Sequence, residues 1–226
     1  MLVYFSTNAL MLIGMISIAY LIYYYGRDLF KKHPMLAKVI FGIYAGLSGV
    51  LLMNQSYETS SGVILAYRNY NIGISAIYGG FIPAIIAAII MFAYRFLISG
   101  LNQTIITLFI GLTMQTIGSI IISKYIKRFT NKWTIFCIWS IIVNSIAIYT
   151  LLHGKQISME ALIYYYVGYV LLSYLIYIIL INYNRLDSSY LKLTEESTTD
   201  FLTGLNNKRG FTLALERANN WSTRKN

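Results

Sequence analysis

Long charge-free apolar runs, separated by short polar segments, dominate the chain. Residues 2–25, 39–57, 104–123, 133–152 and 161–182 each approach or exceed the ~20 apolar residues that a helix needs to cross a bilayer. A sixth region, residues 62–98, is longer and is interrupted by Tyr78-Gly79-Gly80-Phe81-Ile82-Pro83. Two glycines and a proline weaken a helix interior. The pattern therefore predicts two short membrane segments, residues 61–78 and 81–98, that meet at the break. The first run has no basic leader and is too long for a signal-peptide core, so it reads as a true span. The last run does not stop at its polar boundary. Ile176, Ile179, Tyr183, Leu186, Tyr190 and Leu193 keep the 3-4 spacing of coiled-coil core positions. This predicts a helix continuing out of the membrane as a stalk that pairs in a homodimer through Tyr183, Leu186, Tyr190 and Leu193. A single amphipathic helix lying against lipid is the alternative. The expected fold is an all-α polytopic bundle of six or seven membrane segments with a short cytosolic helical stalk.

Composition agrees with a membrane protein: 57% of residues are apolar and 12% are charged. Charge then sets direction. The net charge of +10 suggests nucleic acid until its placement is read. Fifteen of the 18 basic residues fall in three blocks beside spans: Arg27–Lys38, Lys124–Lys132 and the residues after Tyr183. That is the positive-inside pattern, and nucleic acid is not the expected partner. With all three blocks in the cytosol, the chain crosses seven times, from an outer N-terminus to a cytoplasmic C-terminus. Six crossings with an inner N-terminus are the alternative, at the expense of one misplaced basic loop. The lone cysteine, Cys137, lies inside an apolar run and reads as filler. His33 and His153 have no companions at metal-ligand spacing, and no cofactor is expected.

Two charges interrupt the apolar pattern. Arg68 and Arg95 sit within or at the edge of membrane segments, where charge is costly and tends to be functional. Ligand binding, structural pairing and snorkelling to headgroups are all open to them. A broken helix also offers helix ends to a small ligand near Gly79, Gly80 and Pro83. Gly42 and Gly46 form a small-xxx-small face that reads as helix packing. Arg68, the 77–83 break, Tyr94-Arg95 and Ser99-Gly100 together resemble the membrane sensor domain of LytS-type histidine kinases, the 5TM receptor domain (5TMR-LYT). The likeness covers about residues 39–182. It implies a sensor of membrane or envelope state, with Arg68, Gly79, Gly80, Pro83 and Arg95 as candidate sensing residues.

The cytosolic tail carries a second pattern. Asp200, Leu202, Thr203, Gly204, Leu205, Asn207, Arg209 and Phe211 follow D-x-L-T-G-L-x-N-R-R-x-F in register, with Lys208 at the first arginine. This resembles the start of GGDEF domains, the catalytic domains of diguanylate cyclases, and implies an incomplete α/β output domain. Gly204 permits a turn, and Asn206 or Asn207 is placed to cap a helix from Lys208. After Asp200 the one carboxylate side chain is Glu216, too little to hold Mg²⁺ and a triphosphate. The chain as given is therefore expected to lack cyclase activity and to be a fragment or the product of an interrupted gene. The expected organisation is a transmembrane sensor (residues 1–182), a linker (183–199) and the start of a GGDEF domain (200–226). A LytS-like histidine kinase sensor and a small membrane transporter or substrate-binding subunit are the alternatives. No histidine follows His153 to serve as a phospho-acceptor.

Overall fold

The structure, a computed structural model, describes residues 2–58, 64–151 and 159–196, together with Thr203, Leu205, Asn207, Phe211, Thr212 and Leu215. The helices are α1 (Leu2–Lys32), α2 (Pro34–Asn54), α3 (Asn69–Gly79), α4 (Phe81–Ser99), α5 (Gln103–Tyr125), α6 (Phe129–Leu151) and α7 (Met159–Glu196). The strands β1 (Tyr57–Glu58) and β2 (Ile64–Leu65) pair antiparallel between α2 and α3. The chain divides into two compact units, Met1–Ile176 and Tyr177–Asn226, with the boundary inside α7.

Among the described residues, six helices are long and apolar enough to cross a membrane: α1, α2, α4, α5, α6 and residues Met159–Tyr190 of α7. Large apolar side chains such as Leu97, Ile89 and Val167 are exposed on them, as on surfaces that face lipid rather than water. The chain is thus an all-α multi-pass bundle.

Contacts fix the relative directions of the helices in the first unit. Asn8 bonds near Leu52 and Tyr44 bonds to Met15, so α1 and α2 are antiparallel. A Cβ at Gly42 would meet Pro83, one at Gly46 would meet Ile90 and one at Gly49 would meet Met91, so α2 and α4 are parallel. The Ser123 hydroxyl reaches the Ala76 carbonyl, Tyr78 packs on Phe129 and Asn69 bonds Asn144. These contacts make α5 parallel and α6 antiparallel to α3. Trp133 to Ser173 and Ser145 to Tyr166 make α7 antiparallel to α6. The direction therefore alternates through seven traverses. The ends of α1 and α5, with Arg27–Lys32 and Lys124, share one end of the bundle.

The seventh traverse differs from expectation. Residues 61–78 were expected as a membrane helix, but helix begins only at Asn69. At 11 residues, α3 is roughly 16 Å long, about half a bilayer core. Before it, Ile64 and Leu65 form β2, Ala66 and Tyr67 are non-helical, and Arg68 already has helical φ and ψ of -56° and -26°. Residues 64–67 stay out of the helix because other partners hold their backbone. Ile64 and Leu65 pair with β1, and Asn8 accepts the Tyr67 amide at 3.1 Å. Nearly all of α3 is buried.

Gly80, with φ 82°, makes the break between α3 and α4, a conformation that favours glycine. Around α3, α2, α4 and α5 pack Ala45, Ile72, Ala76, Ala84, Ala87, Met91 and Leu112 into a small-residue core. Asn102 caps α5, its side chain accepting from the Ile105 amide at 2.9 Å.

In the second unit, Leu186, Tyr190 and Leu193 are exposed on α7. In the tail the Phe211 amide donates to the Asn207 carbonyl at 2.8 Å, a helical bond. Asp200, Leu202, Gly204 and Arg209 lie outside the described residues, and so does most of the expected α/β domain.

The α2–α4 seam yields a stability test. A Cβ at Gly46 would stand 2.8 Å from the Ile90 Cβ. Gly46→Leu is expected to destabilise by at least the ~1–3 kcal/mol of overpacking, read as a lowered unfolding midpoint in detergent. Gly14→Ala, with nothing within 4 Å, should leave the midpoint unchanged.

Candidate functional site

The extended segment that delays α3 also places Arg68 at a pocket. This pocket, of about 60 Å³, lies at the end of the bundle opposite the Gly79-Gly80 break. Arg68, Arg95, Thr104, Thr107, Asn144 and Tyr165 supply its polar lining, and Met53, Leu65, Leu108 and Ile148 much of its apolar lining. The volume suits roughly four waters, or one small ligand of similar size.

Charge in the pocket is one-sided. Arg68 and Arg95 both line it, and among the described residues no acidic residue does. Arg68 and Arg95 are close enough to act on each other electrostatically. Like charges at a partly buried site repel, and a bound anion relieves the repulsion. The Arg68 Nε is buried and makes no hydrogen bond among the described residues, and neither does the Asn144 Nδ2. Both are donors. Asn69 donates to the Asn144 Oδ1 at 2.8 Å, so the acceptor of that amide is already engaged. Stranding a buried polar group costs about 1–3 kcal/mol, so an acceptor-rich ligand would satisfy what the protein leaves open.

Segment 67–70 is gripped on several sides. Asn8, 1% exposed, accepts the Tyr67 amide through Oδ1 and donates through Nδ2 to the Leu52 carbonyl at 2.7 Å. Tyr67 stacks on Tyr165 of α7, with ring centres 5.7 Å apart and planes 11° apart. Tyr70 stacks on Tyr169 at 4.6 Å and lies over Trp133 at 6.0 Å. The Tyr70 hydroxyl donates to the Tyr169 carbonyl at 2.8 Å and meets the Ser173 hydroxyl at 2.5 Å. The Trp133 indole donates to the Ser173 carbonyl at 3.1 Å. The residues at the pocket are thus tied by side chains to α1, α6 and α7.

Of the five sequence candidates, the structure brings together Arg68 and Arg95. Gly79, Gly80 and Pro83 lie at the other end of α3, where a Cβ on Gly79 would come within 3.1 Å of Phe41 on α2. The break shapes the bundle and does not line this pocket. Asn8, Asn69, Asn144, Thr104, Thr107 and Tyr165 were not anticipated. Asn8 and Asn144 did carry a signal, as amides inside otherwise apolar runs. Among the described residues, no three His, Cys, Asp or Glu side chains come together as a metal site.

Six membrane-capable helices among the described residues, packed as one bundle, define a multi-pass membrane protein. The family model described as 5TMR of 5TMR-LYT matches residues 22–183, and the chain belongs to that family. No curated protein and no solved structure matches it.

Asn8 tests the support of the site. Asn8→Leu strands the Tyr67 amide and the Leu52 carbonyl together, at about 1–3 kcal/mol each. An unfolding titration should show a loss of about 2 kcal/mol or more.

Proposed function

We propose that the chain is the signal-sensing input module of a membrane signalling protein, and that it takes a small anion between Arg68 and Arg95. The observation that carries this reading is the presence of two arginines in the lining of one pocket that, among the described residues, no carboxylate lines. Arg68 and Asn144 add buried donors that lack an acceptor among the described residues. Carboxylates and oxyanions match such a donor set, because charge-assisted hydrogen bonds to guanidinium are strong and directional. Occupancy changes the packing of the extended segment and hence favours one position of α7, a population shift between two arrangements.

Beyond the membrane, α7 acts as a stalk. Tyr183, Leu186, Tyr190 and Leu193 pair with a second copy, and the helix spacing carries the signal to a cytosolic GGDEF-type diguanylate cyclase output. The tail supports this output, because Asp200, Leu202, Thr203, Gly204, Leu205, Asn207 and Arg209 match the beginning of that domain. A LytS-like histidine kinase output is the second reading, and membership of the 5TMR-LYT family favours it. The chain itself supplies input rather than catalysis. Its place is the plasma membrane with the C-terminus in the cytoplasm, which the basic blocks at one end of the bundle support.

Two measurements check this reading. In nanodiscs, titration calorimetry with acetate, inorganic phosphate and sulfate should detect binding of at least one. Arg68→Met or Arg95→Met should weaken it about 10- to 100-fold, the worth of one charge-assisted contact. Equal affinity in both variants would remove the arginines from the site. For topology, a Cys137→Ser background should let an impermeant maleimide label Leu101→Cys in intact cells. Ser188→Cys should react only after permeabilisation.

A further inference from the structure

We propose that Tyr67 is the positioning residue that couples the Arg68 pocket to α7, through a seat its hydroxyl occupies at Gly168. This inference rests on the anion reading of the pocket given above.

Tyr67 is 1% exposed and directly precedes Arg68. Its amide is held by Asn8 and its ring is stacked on Tyr165, which itself lines the pocket. The ring is therefore fixed by two contacts that need no hydroxyl. The hydroxyl nevertheless is present, buried and without a hydrogen-bond partner among the described residues. Phenylalanine would fill the ring's place without stranding a polar group, so stability does not explain the oxygen.

Its position does. A Cβ added at Gly168 would collide with the Tyr67 hydroxyl, whereas the ring carbon Cζ behind it would stand 3.5 Å away. The bare backbone at Gly168 makes a notch in α7 that the hydroxyl fills. Gly168 lies three residues beyond Tyr165, on the same side of the helix. On the next turn Tyr70 holds Tyr169 and Ser173. A shift of Arg68 toward an anion carries Tyr67 with it through the peptide bond they share. With the hydroxyl seated in the notch, α7 has to follow, because packed interfaces shift between discrete arrangements rather than deform.

The contact predicts a compensating pair. Tyr67→Phe empties the notch. Gly168→Ala fills it and displaces the tyrosine. The double variant Tyr67→Phe/Gly168→Ala places a methyl 3.5 Å from the ring carbon, an ordinary contact that restores the seat by other atoms.

The experiment uses the full chain in nanodiscs with 5-fluorotryptophan, and acetate or inorganic phosphate as probe. Calorimetry reads affinity. The ¹⁹F resonance of Trp133, assigned with Trp133→Phe, reads α7, because that indole donates to the Ser173 carbonyl. In the unsubstituted chain the probe should bind and shift the resonance. Tyr67→Phe should bind with unchanged affinity and lose the shift, and Gly168→Ala should also lose it. The double variant should regain both folding and the shift. An undiminished shift in Tyr67→Phe overturns the proposal, as does loss of binding together with the shift. It is equally overturned if the unsubstituted chain binds the probe with no shift. If that chain binds no probe, the anion reading itself fails and takes this one with it.

Discussion

Non-helical backbone inside a membrane bundle has to find partners for its amides and carbonyls within the protein. Much of this architecture follows from how residues 64–68 meet that demand. The β1–β2 ladder takes the first two residues, and a single amide side chain, Asn8, takes the Tyr67 N–H while tying itself to the end of α2. One asparagine thus joins three segments at the rim of the pocket. The non-helical course of residues 64–67 lets α3 begin late and short, and it sets Arg68 at the N-terminal end of that helix, at the pocket.

The opposite end of α3 is governed by size. Gly80 turns the chain with a positive φ, and α4 returns beside α2 along Gly42, Gly46 and Gly49. Backbones approach closely there, and side-chain volume is nearly absent. A small-residue seam thus runs between α2 and α4, and a pocket with a polar lining lies at the end of the bundle away from the Gly80 turn. Near that pocket Tyr67 and Tyr70 stack on Tyr165 and Tyr169 of α7.

Much of this was legible in the sequence. The apolar runs located the helices, six of which among the described residues are long and apolar enough to cross a membrane; the seventh expected segment, residues 61–78, appears as the short helix α3. The glycine-rich break was placed correctly because Gly and Pro act through local backbone geometry, which residue identity encodes directly. The non-helical residues 64–67 were not legible, since the side chain that takes the Tyr67 amide lies about 60 positions away. The pocket was half visible: arginine in an apolar run announces itself by its cost, whereas Asn144, Thr104 and Tyr165 acquire meaning only through neighbours on other helices. Gly79, Gly80 and Pro83 attracted attention for the same reason the arginines did, as departures from the pattern, and they lie at the other end of α3 from the pocket.

The account stands on an anion held between two arginines. The most direct measurement is an anomalous-scattering map of crystals of the chain grown in lipid and soaked in selenate. The account predicts a selenium peak between the Arg68 and Arg95 guanidinium groups, within hydrogen-bond reach of the Asn144 amino group. Selenium peaks confined to the basic residues Arg27–Lys38 and Lys124–Lys132, with none between the two arginines, would contradict it.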